Sequence, residues 1–94
     1  MGMASKAQRP EPSVKVVFDF PETISGVEVD HVIMRRPKVG DRVAASKASS
    51  NEGEQTVHLI ANLCEILYED VLEFDDINWG KLEAQLLAFR VARS

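Results

Sequence analysis

Between residues 58 and 69 the apolar positions crowd together at helical spacing and leave only a narrow polar strip. His58, Asn62, Glu65 and Glu69 recur every three or four residues, and Leu59, Ile60, Ala61, Leu63, Cys64, Ile66 and Leu67 fill the space between them, with Val57 just before. A helix lying on one small core normally shows a single apolar stripe about 100° wide, whereas this segment is apolar around most of its circumference. The pattern predicts one long helix running to about Tyr68. Its start reads as a capping box formed by Ser49 with Glu52 or by Asn51 with Glu54. Such a helix is either sandwiched inside its own domain or offers a second face to another chain.

The remaining elements follow from the same periodicities. Val14, Val16, Phe18 and Phe20 alternate with Lys15, Val17 and Asp19, the pattern of a half-buried strand, and Pro21 is expected to stop it. Turn chemistry follows from Pro21 to Gly26, and a second strand is expected from Val27 or Val29 to about Arg35. Its apolar set starts at Val27 and Val29 and resumes at Val32 and Met34, out of phase by one, which predicts a bulge near Asp30 and His31. After Pro37, Gly40 and Asp41 read as a turn and a helix cap opening a short helix to about Ala48. Residues 69–74 form a connector with room for one helical turn around residues 70–72. Asp75 or Asp76 then caps a last helix to about Val91, with Trp79, Leu82, Leu86 and Phe89 as its main stripe and Ala84, Leu87, Ala88 and Val91 as a shallower second one. Gly80 inside it costs about 1 kcal/mol relative to Ala, which suggests close packing there. The first 12 residues show no periodicity and read as a disordered leader, leaving residues 13–94 as a single domain. Two strands followed by a short helix and two longer helices give an α+β fold with an N-terminal β-hairpin.

Ninety-four residues suit one domain, which buries roughly 64% of its extended surface on folding. The core is therefore modest, and a helix wrapped on all sides would use much of it. At 45% apolar and 28% charged residues the composition is that of a soluble globular protein. A net charge of −4 opposes binding to polyanions, and the one basic cluster, Arg35, Arg36 and Lys38, lacks interleaved aromatics, so no nucleic-acid partner is expected. Charge is nevertheless polarised. Residues 35–47 carry five bases against Asp41, and residues 65–76 carry six acids and no base. The plain reading is two solvated surfaces; the sharper one is head-to-tail contact between copies, weakened by salt. No apolar run reaches the roughly 18 residues that span a bilayer, and no signal-peptide core precedes the strands. Lys6 stands where a myristoylation motif needs Ser or Thr. With a single cysteine, these features lead to the expectation of a cytoplasmic protein without a membrane partner.

Catalytic ingredients are scarce. His31 and His58 lie on different elements, neither within helical reach of a cysteine or of the other, so no metal site is expected. Cys64 belongs to an apolar helix face, where a thiol behaves as a small hydrophobe. Asp75 and Asp76 at a helix start act as cap and dipole complement. The glycines at 26, 40, 53 and 80 are too scattered to cradle a phosphate. The reading is a non-enzymatic protein with no cofactor and no small-molecule substrate, whose surplus is apolar helix surface. The faces of Val57, Ile60, Leu63, Cys64 and Leu67, and of Leu82, Leu86 and Phe89, are the candidates for partner binding.

The run VEVDHVIMRRPKVGD, the helix carrying LIANLCEIL and the closing FDDINWGKLEAQLLAF together resemble the tail assembly chaperones of long-tailed bacteriophages, most of all the E type of P2-like and Mu-like phages and prophages. The resemblance covers about residues 14–90. Its most specific piece is the strand ending in Arg35, followed by Pro37 and by Gly40 and Asp41 opening a helix; Ile60 to Leu63 and the Asp-rich connector come next. The chain departs from the pattern in a more acidic connector, with Tyr68 and Glu69 where Gly or Ser is common. The resemblance implies a chaperone that binds and solubilises the long helical tape-measure protein in the host bacterial cytoplasm. It also implies help for the tail tube protein in polymerising around it, and absence from the mature virion. It supplies no catalytic residues, and for Arg35 and Asp41 the reading is structural. The rival reading is a self-assembling structural subunit of a ring or tube, a homo-oligomer that uses its basic and acidic segments as complementary surfaces. A third, weaker reading is a small acidic regulator.

Overall fold

A computed structural model describes residues 13–90, and the expected leader and the helix end at Val91 lie outside them. Strands β1 (Ser13–Ile24) and β2 (Val27–Arg35) form an antiparallel hairpin. Helices α1 (Val39–Ala48), α2 (Glu52–Cys64), α3 (Tyr68–Leu72) and α4 (Asp76–Arg90) follow it. The α+β fold with an N-terminal hairpin is as the sequence predicts.

The hairpin is longer than expected, because Pro21 does not end β1. Val17 pairs with His31 and Glu22 pairs with Val29, so residues 18–21 of β1 stand against Asp30 alone. The irregularity expected at Asp30 and His31 is present, but the surplus residues lie on β1. Pro21 sits in that unpaired stretch, where its missing N–H costs no ladder bond. Here too the inward alternation fails: Phe18 and Glu22 are buried and Phe20 is exposed. The chain reverses over Ser25 (φ 52°) and Gly26 (φ 81°), two consecutive left-handed residues, which matches the strand twist as a type I′ turn does.

The inner hairpin face presents Val16, Phe18, Val32 and Met34 to the helices, and Val17 and Ile33 point away. Against that face lies α2, with Leu59, Ile60, Leu63 and Cys64 buried. Ala45 of α1 and Leu82 of α4 complete the core, and Phe18 meets Phe74 edge-on at 5.4 Å. The nearly all-apolar helix is thus sandwiched within its own domain.

Local corrections concern where helices begin and end. The N-cap of α1 is Lys38; Asp41 lies three residues in and reaches back to accept from the Lys38 backbone N–H at 2.8 Å. Asn51 caps α2 by accepting from the Glu54 N–H at 2.9 Å. Instead of running to Tyr68, α2 stops at Cys64. There Glu65 takes a left-handed conformation (φ 59°), its N–H meets the Asn62 carbonyl and the Ile66 N–H meets that of Ala61, a Schellman-type ending. The connector does hold a helical turn of its own, α3. Asp75 caps α4 by accepting from the Ile77 N–H at 2.8 Å. A Cβ on Gly80 would meet nothing within 4 Å, so close packing does not explain that glycine.

Candidate functional site

Three side-chain clusters fasten the hairpin to the helices and so decide what is left facing outward. The first centres on Asn78, fully buried in the first turn of α4. Where residues 18–21 lose their β2 partners, backbone groups need substitutes. Asn78 provides them: its Oδ1 accepts from the Asp19 N–H (2.8 Å) and the Phe20 N–H (3.4 Å), and its Nδ2 donates to the Phe20 carbonyl (2.8 Å). The same amide donates to Glu22 Oε2 at 2.6 Å, and that oxygen also accepts from the Asp75 N–H at 2.7 Å. One turn later, Lys81 Nζ donates to the Val17 carbonyl (2.9 Å) and to Asp19 Oδ1 (2.6 Å). In effect α4 stands in for a third strand along β1.

The second cluster joins the end of β2 to α1. Arg35 donates both Nη1 and Nη2 to the Asp41 carboxylate at 2.9 Å each, a fork-to-fork pair. The guanidinium, aided by the Lys38 N–H, holds Asp41 down to about 2, and Asp41 in turn pushes Arg35 above its ordinary value. In the third, Arg36 lies over the Phe89 ring at 5.4 Å and donates to the Phe89 carbonyl at 3.4 Å. The hairpin tip is held separately, by the Ser25 N–H donating to Asp70 Oδ2 at 3.0 Å.

What remains open is apolar surface. Val17 on the outer hairpin face and Ala84 on α4 line the same shallow depression of about 390 Å³, with Lys15, Lys81 and Gln85. Leu87, 66% exposed, lies on the exposed side of α4 with Ala84 and Ala88, and Val17 is 52% exposed. The result is an apolar shelf that starts at the β1–α4 seam with Val17 and continues through Ala84 onto the outer side of α4, where Leu87 lies. Further exposed apolar residues are Val39 and Val43 on α1 and Leu67, Leu72 and Ile77 along residues 67–77.

Of the eight positions singled out from the sequence, Ile60, Leu63, Cys64 and Leu82 are core residues with no surface to offer. Helical periodicity cannot tell a face covered by the chain's own hairpin from one left for a partner. Val57, Leu86 and Phe89 are half-buried, and Leu67 is exposed at the corner between α2 and α3. Leu86 and Phe89 share α4 with the shelf but pack inward against the core; Leu67 is on a different element. Val17 and Asn78 carried no warning in the sequence. Val17 falls on the outward side of an alternating strand with Lys15 and Asp19, and Asn78 is one polar residue in a helix's first turn.

Chemical groups are placed for structure. Burial pushes the Cys64 thiol up to about 12, far from a reactive thiolate. His58 stacks on Tyr68 with ring centroids 4.0 Å apart, and His31 bonds to Asp30 at 2.8 Å on the exposed surface. No group of three or more His, Cys, Asp or Glu among the described residues is arranged to hold a metal ion. No helix among them is long and apolar enough to cross a membrane. Residues 15–89 match the sequence family of phage tail assembly chaperone proteins, E, or 41 or 14. No curated protein and no solved structure matches the chain.

Proposed function

The chain belongs to the phage tail assembly chaperones, and from that membership we propose that it binds the tape-measure protein and keeps it soluble while the tail tube forms. The work is binding without chemistry. The observation that carries this reading is the shelf running from the β1–α4 seam onto the outer side of α4, where Val17, Ala84 and Leu87 stay open while the adjacent Lys81 is already held by the Val17 carbonyl and Asp19. An amphipathic helix docks by laying its apolar face into such a surface, and the small side chains of Ala84 and Ala88 let a second backbone come close.

An unassembled tape-measure helix exposes long apolar stripes, and covering them with a chain of net charge −4 adds repulsion between complexes. The tail tube protein is the further partner, taking over the tape-measure surface as the tube polymerises. This work belongs in the host bacterial cytoplasm and ends before the virion is complete. Co-expression with the tape-measure protein tests it: soluble tape-measure yield rises and the two chains co-purify. Unchanged yield together with no co-purification overturns the reading.

A further inference from the structure

We infer that two copies of the chain associate through the outer face of α1 on one and residues 67–77 on the other, apolar centre to apolar centre and basic rim to acidic rim. On α1, Val39 (81% exposed) and Val43 stand one turn apart. At 3.6 residues per turn, Arg42 and Lys47 fall on either flank of that pair, and Lys38 precedes it. On the second surface Leu67, Leu72 and Ile77 are each more than half exposed, and Glu69, Glu73 and Asp76 alternate with them.

The structure separates charges already in use from those left over. Arg35 is held by Asp41, Asp70 by the Ser25 N–H and Asp75 by the Ile77 N–H. Lys38, Arg42 and Lys47, and likewise Glu69, Glu73 and Asp76, have no ion-pair partner among the described residues. Three free cations and three free anions, each set around exposed apolar side chains, are the two halves of one contact carried on one chain. A second copy supplies both at once, and a two-fold arrangement makes the contact twice. This surface shares no residue with the β1–α4 shelf.

The sign of the salt effect identifies the contact. Copies with a net charge of −4 repel at long range, so nonspecific clustering strengthens when salt screens that repulsion. Pairing of basic rim with acidic rim weakens instead. Sedimentation of the full chain measures it: the dissociation constant rises at least about tenfold between about 20 mM and about 500 mM salt. R42E/K47E and E69K/E73K each remain monomeric at low salt, because each then carries two rims of one sign. Mixed one to one, they associate again, since every contact is once more between opposite signs. Circular dichroism of each variant confirms an unchanged fold; Lys47, Glu69 and Glu73 are exposed and Arg42 is half-buried.

A chain that is monomeric at every salt concentration overturns the proposal, as does association indifferent to both double variants or a mixture that stays monomeric. So does a monomer in which the same reversals weaken tape-measure binding, which would give these faces to the tail partner. The first three outcomes are independent of whether co-expression raises tape-measure solubility.

Discussion

Single polar side chains in this protein replace backbone structure, and their removal is felt accordingly. Asn78 satisfies two N–H groups and a carbonyl of β1 while also donating to the buried Glu22. Asn78→Ala leaves those groups without partners in a closed space, so a loss of about 3 kcal/mol is expected by urea unfolding. Asn78→Leu, which refills the volume without the bonds, recovers little of it. Asp41 behaves differently, because its contribution depends on charge. Its carboxyl is held at about 2 in the folded chain against 3.8 when free, so its stabilisation is complete above pH 4 and fades as pH falls toward 2. Arg35 is about one-third exposed, and solvent screening reduces the contribution to about 1 kcal/mol. Asp41→Asn lowers stability by that amount at pH 7, and by urea titration the two proteins converge only as pH falls below about 2.

At the scale of elements, the sequence reveals types and order more readily than ends. The hairpin, the short helix and the last helix follow from alternation and from helical spacing, which reflect burial directly. The end of α2 does not, because its left-handed position is filled by Glu65 where glycine would announce a stop. The apolar pattern runs on through Ile66 and Leu67, so nothing local marks the break. Glu65→Gly relieves the strained backbone, and thermal unfolding should show a gain of up to about 1 kcal/mol. Pro21 misled in the opposite direction. A proline reads as the end of a strand, yet here the strand goes on, because α4 supplies the partners that residues 18–21 lack. That compensation comes from Asn78, 57 residues away by the numbering, and no short-range pattern contains it. The candidate site was legible to the same extent. Periodicity found the apolar helix faces, but whether Ile60 and Leu63 meet the hairpin or a stranger is decided only by the tertiary fold.

For the whole molecule, the consequence is a division of labour between two kinds of apolar residue that look alike in sequence. Leu82 and Leu87 are both leucines on α4, five residues apart; the first is fully buried and the second two-thirds exposed. Leu82→Ala removes packing from a core assembled by the hairpin, α1, α2 and α4, at a cost of about 2–5 kcal/mol. In so small a domain that is a large share of total stability, so under the proposed function any loss of tape-measure solubilisation follows the loss of folded protein. Leu87→Glu changes stability by no more than about 0.5 kcal/mol, since its side chain already faces water. Under the proposed function it nevertheless places a charge on the shelf where an incoming helix would shed water, and an unpaired charge there opposes docking. The two variants therefore separate folding from function. Thermal melts should distinguish Leu82→Ala from the parent and not Leu87→Glu, while co-purification per folded molecule should fall at least about tenfold for Leu87→Glu alone. Equal co-purification by the Leu87→Glu protein would move the binding surface off α4.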